Sequence, residues 1–387
     1  MLIIADLVHT PVLHQLEILR NHLLVINEQG FIEYIASSDL PESLRILQDA
    51  HESPTVVPSG SFLLPTFCDL HLHGPQFLYQ GTGLHLPLME WLDEYAFKAE
   101  ERLDADPVLA ETVYQRLADR LIEHGTGAVL LFGTIKTETK YGIQKLTPFK
   151  SSQIFAISLI LANVMQSAGI RAFVGKLSMD ISSHPTYVEE SAEAALSAAE
   201  SFATRCTALV ASLPEHERLV QPVLTPRFVP TCSDRLLQGL GKLSRQRRIR
   251  IQSHMAEAQD QMEHVRQERG VDDMAVFQRS DLLTDRTVQA HCTFLNAPAL
   301  SSLAECGTAV AHCPMSNAYF SAEPFRLREA LQIGTKVGLG TDVAGGYSID
   351  VMNSMRQAVA VSRIREGARI MGCTNAKQHG NPATTHL

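Results

Sequence analysis

The sequence predicts an α/β chain built as an eight-stranded (β/α)8 barrel of the TIM type, preceded by a small β-rich domain. Three observations carry this. Eight short apolar runs follow one another from Phe67 onward, helix-like segments separate them, and polar residues recur at the ends of the runs. A parallel sheet covered by helices has that rhythm, and barrel active sites are built at the C-terminal ends of the strands.

Taken in order, residues 1–64 form the small domain, with extended pieces at HLLVIN and GFIEYIA around the turn-like Glu28-Gln29-Gly30, then a polar stretch and VVPSGSFLLPTF. The barrel occupies 65–371. Its eight runs are FCDLHLH, GAVLLFGTI, RAFVGKLSMD, LVQPVLTPRF, IRIQSHMAE, TVQAHCTFL, TAVAHCPMS and KVGLGTD. Between them, PVLAETVYQRLADRLIEHG, YVEESAEAALSAAESFATRC, SDRLLQGLGKLSRQ and PALSSLAECG read as helices, with Asp, Ser or Pro at their starts and Gly near their ends. Residues of about 140–158, KYGIQKLTPFKSSQIFAIS, break the rhythm and read as an insert on the active-site face. Residues 372–387 are polar and read as a disordered tail.

Composition narrows the functional classes. With 33 Lys+Arg against 42 Asp+Glu the formal charge is −9, which speaks against a nucleic-acid partner. Hydrophobic residues at 45% and charged residues at 19% suit a large folded core. Seven cysteines are scattered without a CxxC, as expected of reduced thiols in the cytoplasm. The N-terminal segment is interrupted by Asp6, His9 and Pro11 and lacks a basic start, so neither a signal peptide nor a membrane span is expected.

His71, His73, Arg227, His254, His291, His312 and Asp342 all end apolar runs. Each alone has a plainer reading as a hydrogen-bonded structural group; their joint placement points to a site. His71 and His73, two apart on a strand, face the same way and make a pincer for a metal ion. With His254 and Asp342 they offer three nitrogens and a carboxylate, a set suited to Zn2+ or a similar divalent ion. GLGTDVAGG lacks GxGxxG spacing and is not a phosphate loop, and no PCxxC zinc motif occurs in the chain.

These motifs, together with DLHLHGPQFLYQGTGLHLPLMEWLDEYAF, HGTGAVLLFGTIKTE and LVQPVLTPRFVPTCS, resemble the amidohydrolase superfamily and, within it, the guanine deaminases of the eukaryotic type. The resemblance covers nearly the whole chain. It implies hydrolysis of guanine to xanthine and ammonia with one Zn2+ held by His71, His73, His254 and Asp342. A bound cation lowers the pKa of water toward neutrality. The resemblance further implies that Asp342 takes the proton of that water, that His291 orients it, and that Glu257 shuttles a proton to the ring nitrogen and the departing ammonia. Gln76, Arg227 and Phe228 match the family's substrate residues, Arg227 as donor to the ring carbonyl and Phe228 as apolar surface. Plainer readings are a solvated helix-opening carboxylate for Glu257 and a rim salt bridge for Arg227. Lys176, on the third run, is read as structural, Trp91 and Met89 as packing, and His312, Ser316 and Asn317 as groups that shape the site.

The chain departs from the pattern at Pro65-Thr66, where the family has Pro-Gly, at the insert, and after Met371, where the family continues with a helix and strands that return to the small domain. An exposed edge and reduced stability are expected from the last departure. Two other readings stand beside guanine deamination. One is an aminohydrolase for another purine, a pterin or a triazine; the other is a non-catalytic barrel. The family is typically dimeric, so a homodimer is possible, though the sequence marks no interface.

Overall fold

The structure is a computed structural model that describes residues 1–13, 15–136 and 157–378, with side chains to Met371. It divides into two compact units, Met1–Phe67 with Pro214–Arg218, and Cys68–Leu213 with Leu219–Leu387. The boundary of the small domain therefore falls at Phe67 rather than at residue 64. A distant segment also joins that domain: the His216 ring lies 6.5 Å from that of Phe31.

The small unit is a five-stranded sheet of β1 (Leu2–Val12), β2 (Gln15–Ile26), β3 (Ile32–Ser37), β4 (Thr55–Val56) and β5 (Phe62–Leu63). β2 runs antiparallel to β1 and β3, and both short strands lie parallel to β1. The turn at Glu28-Gln29-Gly30 forms because the Asn27 side-chain oxygen accepts from the Gln29 and Phe31 amides while Gly30 takes φ +84°. β1 is not among the strands the pattern predicts, and the polar stretch contains a helix, Pro41–Asp49, started by proline at its first position.

The second unit contains all eight predicted strands: β6 (Phe67–His73, its first residue grouped with the small unit), β7 (Thr126–Phe132), β8 (Arg171–Ser178), β9 (Val220–Pro226), β10 (Arg250–Met255), β11 (Thr287–His291), β12 (Ala309–His312) and β13 (Val337–Leu339). Each lies next to its successor, and from β7 to β13 every neighbouring pair is parallel. Residues just past β13 close the ring on β6: the Asp342 amide donates to the His71 carbonyl at 2.8 Å, and the His73 amide to that of Val343 at 3.0 Å. Asp69 bolts the seam, accepting from the His71 and Thr341 amides at 3.1 and 3.0 Å and from the Thr341 hydroxyl at 2.5 Å. Gly340 permits this approach, since a Cβ there would stand 2.7 Å from the His71 Cβ and 2.9 Å from the Cys313 sulfur.

The helices follow from capping and one-sided apolarity. Pro107–Glu123 starts under Asp106, whose side chain accepts from the Val108 and Leu109 amides, and it buries Ala110, Val113, Tyr114, Leu117, Ala118 and Leu121 at three- and four-residue spacing. Each large side chain so buried contributes roughly 1.5–3 kcal/mol. Ser191, Ser233 and Asn296 cap Ala192–Val210, Asp234–Arg247 and Ala297–Cys306 in the same way. Most of the expected insert lies outside the described residues. Its last two residues are helical, however, because the helix Ile157–Ser167 begins with a buried Ser158 whose hydroxyl accepts from the Thr134 amide. The expected tail is also corrected in its first part. The helix Val351–Gln378 runs through it, since no proline or glycine stands between Gly372 and Gly380 to oppose propagation. Residues 379–387 lie outside the described residues. Among the described residues no helix is long and apolar enough to cross a membrane.

Candidate active site

All nine candidate residues come together at the C-terminal mouth of the barrel. β6 ends in His71 and His73, β10 carries His254, β11 ends in His291, and Asp342 follows β13. Donor atoms of His71, His254, His291 and Asp342 lie within 4.8 Å of one another. His73 adjoins this group, its Nε2 3.0 Å from the His254 Nε2 and 3.6 Å from the Asp342 Oδ1. The Asp342 carboxylate divides its neighbours: Oδ1 faces His71 at 3.2 Å as well as His73, whereas Oδ2 faces His291 at 3.9 Å.

Hydrogen bonds behind the imidazoles fix their tautomers. His254 Nδ1 donates to the Arg227 carbonyl at 2.6 Å and His291 Nδ1 donates to the Asn317 Oδ1 at 2.9 Å, so each presents an unprotonated Nε2 to the centre. Both ring nitrogens of His71, Nδ1 of His73 and Nε2 of His291 are buried without a hydrogen-bond partner. Buried lone pairs converging beside a carboxylate cost free energy unless a cation satisfies them, so this donor set fits a divalent metal ion.

The electrostatics agree with this. The ring of Phe132, at the end of β7, stacks on His73 at 4.8 Å and meets the edge of His71 at 5.3 Å, helping to exclude water. Burial, with His71 adding to it, pushes His73 and His254 well below the usual histidine range, and burial takes His291 down to about 4. Neutral imidazole is the form that ligates. Burial would raise Asp342, but His71, His291 and His73 hold its carboxyl well below the usual carboxylate range. Glu257 goes the other way: burial and the nearby Asp342 charge push it well above that range, which favours its protonated form. Its Oε1 lies 3.4 Å from the His291 Nε2. The backbone holds the two carboxylates in place with strain, since Asp342 (φ +53°), His291 (+67°) and Ala256 (+49°) are left-handed.

A cavity opens over this centre, lined by His73, Gln76, Arg227, Phe228, His254, Glu257 and Asp342 with Leu88, Trp91, Leu92, Phe320 and Gly345. Trp91, expected as packing alone, faces it, and its indole N–H donates to the Thr82 carbonyl. Arg227 is not at a rim; it is buried and paired with Glu100 at 2.8 Å. Lys176 stands on the third strand, away from the metal donors, and is ion-paired with Glu189.

A family model for the amidohydrolase family matches residues 62–381. This chain is an amidohydrolase-family protein. Among curated relatives of this amidohydrolase, a guanine deaminase from Dictyostelium discoideum is 34% identical over 371 residues, covering 92% of this chain and 76% of the relative. One from Homo sapiens is 34% identical over 362 residues, covering 92% and 74%. A crystal structure of guanine deaminase from C. acetobutylicum with bound guanine in the active site aligns with a TM-score of 0.81 at 26% identity, over 95% of this chain and 80% of the other.

Sequence reasoning missed Glu100, fully buried on the helix Phe97–Ala105. The available signal was an acidic residue on that helix's apolar face, three residues from both Phe97 and Leu103. It also missed how firmly the Glu257 backbone is held. The Ala256 amide donates to Asp273, the Glu257 amide to Gln261, and the Glu257 carbonyl accepts from the Ser321 hydroxyl.

Proposed function

We infer that this amidohydrolase is a zinc-dependent guanine deaminase, converting guanine and water to xanthine and ammonia. The observation that carries the reading is geometric: Asp342 and Glu257 flank the imidazole cluster beneath a cavity that holds Gln76 and Arg227, and their surroundings drive the two carboxyl groups' proton affinities apart. The similarity to guanine deaminases supports the choice of substrate.

In this reading His71, His73, His254 and Asp342 hold the zinc ion, because His71 and His73 face the same carboxylate oxygen and His254 abuts His73. When bound, the cation makes water acidic enough to lose a proton near neutral pH. Asp342 is the base that accepts it. Glu257 delivers its proton to the ring nitrogen beside the attacked carbon; the proton taken by Asp342 then passes to the amino group, the C–N bond breaks to release ammonia, and the added oxygen becomes the xanthine carbonyl as its remaining proton returns to Glu257. His291, with its proton fixed on Nδ1 by Asn317, keeps Nε2 as an acceptor that aligns the water and Glu257. Gln76 and Arg227 orient the base, and Phe228 supplies apolar surface. The free thiols of the six described cysteines suit a cytoplasmic setting.

The test is ammonia release from guanine by zinc-loaded protein, with chelated protein and His254→Ala as controls. Turnover that needs zinc and vanishes in the variant is expected. A folded, zinc-bearing sample that releases no ammonia from guanine refutes the substrate assignment.

A further inference from the structure

Glu100 splits its two carboxylate oxygens between two groups that line the cavity. Oε1 accepts from the Gln76 Nε2 at 2.7 Å, and Oε2 accepts from the Arg227 NH1 at 2.8 Å. On the other side of Gln76, its Oε1 accepts from the Ala344 amide at 3.2 Å. A carboxylate offers only acceptors and a backbone N–H only a donor, so the Gln76 amide has one permitted orientation. It keeps one N–H and one lone pair for a ligand. Arg227 is held just as tightly, with its guanidinium carbon 4.9 Å above the ring of Phe97, one helical turn before Glu100. A single helical turn thus sets both the plane and the edge of the guanidinium. Four of its five N–H donors remain after the Glu100 bond.

Glu100 is absent from the metal-donor cluster, and packing alone gives no reason for its charge. A buried ion pair is often no more stable than well-packed apolar residues of similar volume. Its effect is to present two cavity side chains as one preset hydrogen-bonding edge. We propose that Glu100 is a positioning residue for base selectivity, which sets Gln76 and Arg227 so that a purine bearing an oxygen at C6 is preferred over one that lacks it. The inference rests on the guanine reading above and goes beyond it by naming what enforces the choice. Preorganised donors reject a ligand that leaves them unpaired in a buried site, whereas loosely held donors re-aim and discriminate less.

The probe is 2-aminopurine, which has the same amino group as guanine and no oxygen at C6. Its fluorescence reports binding, and guanine competes for it. Binding constants and kcat/KM for both bases would be measured on zinc-loaded wild type, Glu100→Gln and Glu100→Asp, with zinc content and melting temperature recorded for each. We expect the preference of wild type for guanine to fall about tenfold or more in E100Q, mainly through the KM for guanine, with zinc content unchanged. E100D keeps the charge but is one methylene too short to reach both partners, so its preference should fall as well. A role limited to charge neutralisation would leave E100D like wild type, and a merely structural role would weaken both bases equally; either result overturns the proposal. If E100Q does not fold, E100D decides. If wild type binds guanine selectively without turnover, the reaction assignment fails while the binding ratio still tests Glu100. If wild type shows no preference for guanine, the proposal fails.

Discussion

Replacing Glu257 by glutamine separates proton transfer from architecture. The side chain is buried beside His291 and Asp342, and its surroundings favour the protonated form, which glutamine matches in shape and charge. The backbone around it is held independently by Asp273, Gln261 and Ser321. Loss of a general acid–base group typically lowers turnover by about 10²–10⁴-fold, or about 3–5 kcal/mol of barrier, while stability at neutral pH should not fall. The pH dependence has a definite sign. A carboxyl whose folded pKa lies above its ordinary value of 4.5 is most favourable below 4.5 and costs stability as pH rises toward the folded value. In chelated protein the melting temperature of Glu257→Gln should therefore gain on wild type between pH 5 and 8. Steady-state ammonia release and a melting series across that range would decide it. A variant that keeps more than a tenth of wild-type turnover, or that loses ground in stability as pH rises, would refute the assignment of Glu257 as proton carrier.

Two further predictions follow from the supports around the site. Asn317→Ala removes the acceptor that fixes the His291 tautomer and should lower turnover by about 10–100-fold with zinc content unchanged, read by ammonia release and metal analysis; unchanged turnover would remove Asn317 from the site. Asp69→Ala strands three buried donors at the barrel seam and should cost about 3 kcal/mol in urea unfolding. Asp69→Asn, which can still accept two of those bonds and donate in the third, should cost about 1 kcal/mol or less; equal losses in the two variants would show that the seam depends on the charge rather than on the bonds.

The barrel was legible because strand burial and helix capping are local. FCDLHLH coincides with β6 residue for residue, and Asp106, Ser191, Ser233 and Asn296 mark helix starts that the chain obeys. Two boundaries were misread for equally physical reasons. Polarity alone made residues 372–378 look unstructured, yet nothing in that stretch opposes helix propagation. The 64/65 boundary missed Pro214–Arg218, because a segment 150 residues away leaves no mark on the local pattern.

By itself the sequence determined which side chains stand at the strand ends, since a period of two and the position of each run's end fix that without knowledge of neighbouring strands. It could therefore name His71, His73, Arg227, His254, His291, His312 and Asp342, while Gln76, Phe228 and Glu257 came from the resemblance to a known family. Only the tertiary structure decided how those groups divide their work. That division depends on distances between strands far apart in sequence: which oxygen of Asp342 each histidine faces, which nitrogen of His291 is tied to Asn317, and why the proton affinities of two neighbouring carboxyl groups are pushed in opposite directions. Glu100 belongs to the same class. Its position on an apolar helix face was visible in the sequence, but its meaning depends on Gln76 and Arg227, 24 and 127 residues away, meeting the two ends of one buried carboxylate.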